Sequence, residues 1–153
     1  MTAVFCYAYG MQRLKPLIGE WAVTTALPGG QVLGRVRSTF AWLDDRFVVQ
    51  HTDVFPGDQG MPELFPAVCV YGSDDGTGRF TQLYSDGRGV HRVYQCTFDD
   101  GVWTMWRDQP GFAQRFTATV GADLIDGRWE LAEEEGVWKP DLSVRYERAG
   151  RPA

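Results

Sequence analysis

The segment 78–108 reads as three β-strands in succession, and that pattern sets what the chain can fold into. Each stretch is rich in aromatic and β-branched residues and alternates with period two. SDGRG at 85–89 and DDG at 99–101 separate the stretches with the Gly and Asp that tight hairpins require. The same grammar runs to both sides. Strands are expected over 20–27, 34–43, 46–54, 66–73, 79–85, 89–98, 102–108, 113–120, 124–131 and 137–148, joined mostly by short Gly- and Asp-rich turns. A meander of this length exposes two sheet edges unless it closes on itself. The expected fold class is therefore all-β, an about ten-stranded antiparallel meander barrel. From Met11 a helical turn, cut short by Pro16 and Gly19, is expected as an N-terminal plug.

The 153 residues fit one domain, expected over 11–153, and residues 1–10 are expected to be a disordered extension because Met11 opens a more ordinary start. Those first residues are apolar but have no basic flank and no small-residue cleavage pattern, so a signal peptide is not expected. No apolar run approaches the roughly 18 residues of a membrane span. A net charge of −5, with arginines scattered singly, argues against nucleic acid as a partner, since polyanion binding needs a basic stripe. Cys6, Cys69 and Cys96 have no metal-ligand spacing and cannot all pair, which points to reduced thiols and a cytoplasmic location. Cys69 and Cys96 are either small strand hydrophobes or, if their strands are neighbours, one bridge.

The connector 55–66 differs from the others, with three prolines and the apolar residues Phe55, Met61, Leu64 and Phe65. It is either a lid over a portal or an Ω-loop packed on the barrel end. Side chains alternate between the faces of a strand, so the more apolar parity should mark the lumen. That parity gives Phe47, Val49 and His51 in the third strand, Phe80, Gln82 and Tyr84 in the fifth, and Arg92, Tyr94, Cys96 and Phe98 in the sixth. It gives Trp103, Met105 and Arg107 in the seventh, Gln114, Phe116, Ala118 and Val120 in the eighth, Gly127, Trp129 and Leu131 in the ninth, and Trp138, Leu142, Val144 and Tyr146 in the tenth.

Apolar faces broken by arginine, glutamine and tyrosine suit a ligand cavity better than a dry core, where each unpaired polar group costs about 2–7 kcal/mol. The expected ligand-binding residues are Arg92, Arg107, Gln82, Tyr84, Tyr94, Trp103, Met105, Gln114, Phe116 and Trp129. Arg92 and Arg107 would converge as polar anchors for a small hydrophobic ligand bearing an acceptor group. The alternative is a cyclase or isomerase acting on a natural-product or lipid-like substrate, with His51 or Tyr94 as the catalytic acid/base. Acidic pairs such as Asp44–Asp45 fall in turns and serve turn geometry, and no nucleophile, phosphate-loop or dinucleotide motif occurs.

LKPLIGEW at 14–21 resembles the entry to calycin-type barrels, a short helix followed by Gly-x-Trp. The ten-strand pattern is similar to the fatty-acid-binding-protein and nitrobindin branch. GRFTQLYSDGRGV (78–90), GVWTMWR (101–107), QRFT (114–117) and GRWE (127–130), ending in Trp138 and Tyr146, resemble uncharacterised bacterial calycins. The resemblance implies that Trp21 packs at the closed barrel end against an arginine of the last strand, Arg145 or Arg148. Nitrobindin-like barrels bind haem through a histidine late in the chain; here the only histidines are His51 and His91. No cofactor and no metal is expected, and haem through His51 is kept as a further alternative.

Overall fold

In the computed structural model, residues 10–55, 57–58 and 62–150 are described. Most of the expected extension, and Pro56, Gln59, Gly60 and Met61 of the long connector, lie outside the described residues. A 3-10 helix over Gln12–Leu17 precedes β1 (Gly19–Ala26), β2 (Val32–Leu43) and β3 (Phe47–Val54). A second 3-10 turn, Pro62–Leu64, leads to β4 (Ala67–Ser73), β5 (Phe80–Ser85), β6 (His91–Asp99), β7 (Val102–Arg107), β8 (Ala113–Val120), β9 (Leu124–Glu134) and β10 (Val137–Arg148). Each strand pairs antiparallel with the next and β10 returns to β1, so the sheet is a closed barrel. The all-β, ten-stranded barrel expected from the sequence is the fold observed, and closure removes both edges.

One end of the barrel is sealed by the N-terminal plug. Leu14, Leu17 and Trp21 are fully buried there, and the Trp21 indole Nε1 donates to the Leu17 carbonyl at 2.8 Å. The Arg148 guanidinium lies 4.1 Å over the Trp21 ring. It also donates to the carbonyl oxygens of Ile18 (2.8 Å), Pro16 (3.1 Å) and Ala122 (2.8 Å), joining the plug, β10 and the β8–β9 turn. Gly19 makes room for it. Its φ is +128°, and a Cβ there would stand 2.6 Å from the Arg148 Nη1. Of the two candidate arginines, Arg148 is therefore the partner of Trp21, while Arg145 is exposed.

Two strands depart from the expected parity. Asp44 and Asp45 both take φ near +53°, and Arg46 N–H donates to the Leu43 carbonyl, so the three-residue loop places Leu43 opposite Phe47 with both outside. Val48 and Gln50 are consequently buried, and His51 is exposed on the outer wall. The apolar residues face outward because they have apolar partners there. Ala41, Val49, Val70, Leu83 and Val93 are successive cross-strand neighbours from β2 to β6 and cover one another. In β10, register shifts between Val137 and Lys139 and between Pro140 and Leu142 reset the alternation. Trp138, expected inside, instead lies under the Arg115 guanidinium at 4.1 Å, and that guanidinium also pairs with Glu130. Leu142, Val144 and Tyr146 face the lumen, as expected.

Removing the Arg148 clasp should weaken the whole barrel. Arg148→Met is expected to lower unfolding free energy in urea by about 2–4 kcal/mol, since several charge-assisted bonds and a cation–π contact go together. Arg145→Met is expected to stay within about 0.5 kcal/mol of the parent, as exposed substitutions do. Equal effects of the two would show that the clasp does not hold the closed end.

Candidate functional site

The barrel holds a cavity of about 230 Å³ that opens at the end opposite the plug. Its walls come from all ten strands, because each contributes alternate residues. The floor is aromatic. Trp103 and Tyr71 are fully buried with ring centroids 6.2 Å apart, and Phe40 packs at 6.1–6.2 Å from both. Phe116, at 4.9 Å from Trp103 and 5.0 Å from Trp129, holds these two rings from behind. Phe116 can lie there because a Cβ on Gly127 would stand 2.6 Å from its ring.

Two polar clusters face this space. At the rim, Tyr94 donates to Gln114 Oε1 at 2.7 Å, and the Arg92 guanidinium reaches the same oxygen at 3.3 Å. Arg92 is steadied by Phe112, whose ring lies 5.2 Å away. Burial raises the Tyr94 phenol above its ordinary pKa, so near neutral pH it is a hydrogen-bond donor and not a base. Beside it, Tyr84 donates to Asp86 at 2.7 Å, and Asp86 in turn accepts from the Arg88 guanidinium and backbone N–H. Those bonds, led by the Arg88 side chain, hold the Asp86 carboxyl well below the usual carboxylate range. The second cluster joins β2 to β5. Gln82 Nε2 donates to Tyr71 Oη (2.7 Å), Tyr71 to Gln50 Oε1 (2.6 Å), and Gln50 Nε2 to Ser38 Oγ (2.8 Å). Ser38 and Thr52 share a hydroxyl contact of 2.9 Å.

Of the residues expected to bind ligand, Arg92, Gln82, Tyr84, Tyr94, Trp103, Met105, Gln114 and Trp129 line the cavity. Phe116 stands behind the wall. Arg107 is partly buried beside Gln114, its cross-strand partner, and its charge acts on Tyr94, but it is not among the residues that line the cavity, where Arg92 stands without it. His51, the expected acid/base and alternative haem ligand, is on the outer face and His91 is exposed too; neither imidazole faces the cavity. Cys69 and Cys96 are free, and burial pushes both thiols up to about 12, which leaves them inert. Among the described residues no cluster of His, Cys, Asp or Glu could hold a metal ion. Of the long connector, Leu64 and Phe65 line the cavity, and the Leu64 carbonyl accepts from Gly87 N–H.

The parity rule missed Gln50 and Thr52, because the apolar face of β3 turns outward; Ser38 lies on β2, for which no inward face was read, and Asp141 was missed as well. Asp141 lines the cavity at the second β10 bulge, and burial raises its carboxyl pKa. The irregular turn signal Asp44–Asp45 was the available sign for the first group; nothing in the sequence marked Asp141.

No family model and no curated protein matches the chain. Among solved structures it resembles the crystal structure of Rv2717c from M. tuberculosis, with a TM-score of 0.61 at 14% identity, over 92% of this chain and 98% of that one. That likeness is one of fold. No helix among the described residues is long and apolar enough to cross a membrane.

Asp141 offers a direct check on the cavity's polarity. Its folded pKa lies above the unfolded value, so the native state binds a proton more readily and this group's destabilising effect fades as pH falls through the folded pKa. Asp141→Asn is expected to raise Tm at pH 7 and to lose that advantage in acid. An advantage unchanged down to pH 3 would show that burial of the carboxylate is not its origin.

Proposed function

We propose that the barrel binds a small, mostly apolar molecule carrying a carboxylate or carbonyl group, with Arg92 as the polar anchor. The observation that carries this reading is the meeting of Arg92, Tyr94 and Gln114 at the rim of a cavity whose walls are largely aromatic and aliphatic, with a second polar cluster from Gln82 to Thr52. Ligand pockets have this composition, apolar walls with a few convergent polar groups. At about 230 Å³ the space falls below the roughly 300–1,000 Å³ of typical pockets, so the occupant is compact. Arg92 is half-buried, so a guanidinium–carboxylate bond there forms partly out of water and gains accordingly. Haem ligation through His51 is not part of the proposal, because the imidazole is outside.

Calorimetry with cinnamate and cinnamyl alcohol tests the anchor. The acid is expected to bind more tightly than the alcohol. Arg92→Met should weaken the acid about tenfold, the loss of one charge-assisted bond, and leave the alcohol unchanged. Arg145→Met, on the exposed face of β10, should alter neither. If the parent protein binds neither compound, or if Arg92→Met leaves the acid unaffected, the reading is wrong.

A further inference from the structure

The inner polar cluster has a direction, and its loose end faces the cavity. Tyr71 has a single hydroxyl hydrogen, and it is given to Gln50 Oε1 at 2.6 Å. Tyr71 Oη therefore receives Gln82 Nε2–H at 2.7 Å, which turns the Gln82 carbonyl oxygen away from the relay. Gln50, its oxygen taken by Tyr71, presents Nε2 to Ser38 Oγ at 2.8 Å, and the relay ends at Thr52. Gln82 is only 4% exposed, yet its Oε1 accepts no hydrogen bond. It is not sealed in protein either. Among the described residues the buried side-chain polar atom without a partner is Trp103 Nε1 alone, so Gln82 Oε1 has open space before it, and Gln82 lines the cavity.

A carbonyl oxygen held in place by a relay of four further side chains, almost entirely out of bulk solvent, is a prepared acceptor for one donor. Its distance from the rim anchor follows from the register. Arg92 is paired with Tyr84 on β5 and Gln82 stands two residues deeper on that strand, on the order of 7 Å. Tyr84, Tyr94 and Trp129 supply flat walls between the two points, with Tyr94 and Trp129 5.5 Å apart edge to face.

We propose that the cavity selects a bipolar ligand, a monocyclic hydroxyaryl carboxylic acid or its close analogue, whose acid group meets Arg92 at the rim and whose hydroxyl donates to Gln82 Oε1 at depth. This rests on the lumenal-binding reading above and adds the second polar group. A ligand without the hydroxyl leaves the Gln82 carbonyl facing a dry apolar group, and sites built around a hydrogen bond reject such analogues.

Calorimetry at pH 7 with 4-hydroxycinnamate, cinnamate and 4-fluorocinnamate tests it on the unaltered protein, fluorine matching the hydroxyl in size without donating. The hydroxy acid is expected to bind roughly five- to tenfold more tightly than either comparator. In Gln82→Leu, with folding checked by circular dichroism and thermal melting, the three affinities should become equal. If the parent protein binds all three alike, or if the preference survives in Gln82→Leu, the hydroxyl is not read by Gln82 and this inference falls while lumenal binding of acids stands. Binding of none of the three overturns both.

Discussion

The barrel depends on how Arg148 meets Trp21. Closing ten strands into a ring requires the last strand to find the first, and the register of that final pairing sets these two residues opposite each other. The guanidinium stacks on the indole and donates to carbonyl oxygens of the plug and of the β8–β9 turn. A planar fork with five donors suits this task, because one side chain can bind several oxygens while its face covers an aromatic ring. Sealing that end keeps water from the aromatic floor, and the cavity opens at the other end. Polar groups above the floor therefore act at low dielectric, where satisfied bonds rigidify and unsatisfied ones are costly.

Polarity across the interior is graded. Nearest the plug the packing is dry and aromatic, built on Phe40, Trp103 and Phe116. Above it the relay from Gln82 to Thr52 spans one side of the wall, and the rim cluster of Arg92, Tyr94 and Gln114 has Trp129 against Tyr94. The shape of this space is fixed partly by residues that never touch it. Gly127 leaves room for Phe116, and Phe116 sets the tilt of the two tryptophans that form the wall. Overpacking at such a position costs typically 1–3 kcal/mol, and here it would also displace the cavity wall.

Most of the architecture was legible because it is written in local signals. Turn residues mark the hairpins, period two marks the strands, and together they give ten strands and a closed sheet. Inward faces were legible in β5 to β9, where the outer face is mostly polar and the inner one carries the aromatic residues. The rule failed at β3 for a physical reason. There the outer surface is an apolar row running from Ala41 to Val93, and the lumenal side carries Gln50 and Thr52. Arg107 was misplaced for a different reason. Parity is right for it, but it is the last residue of β7, beside Gln114 and outside the cavity lining. Asp141 sits at a β10 register shift, and which residue a bulge presents inward depends on its partner strand.

The wall formed by β3, β4 and β5 has consequences for how the chain finds its structure. In β3 hydrophobicity favours one register and the lumenal hydrogen bonds favour the other, and the two differ by a single residue. A slip there would bury Phe47 and Val49 in a drier barrel and turn Gln50 toward solvent. Such a state competes with the native one because each satisfies a different rule, which is local frustration in the landscape sense. The Asp44–Asp45 turn, with both residues at positive φ, sets Leu43 opposite Phe47 and so fixes the hairpin in the native register. The empty space in the middle of this protein is thus defended by a turn on its surface, at the far end of the barrel from the mouth.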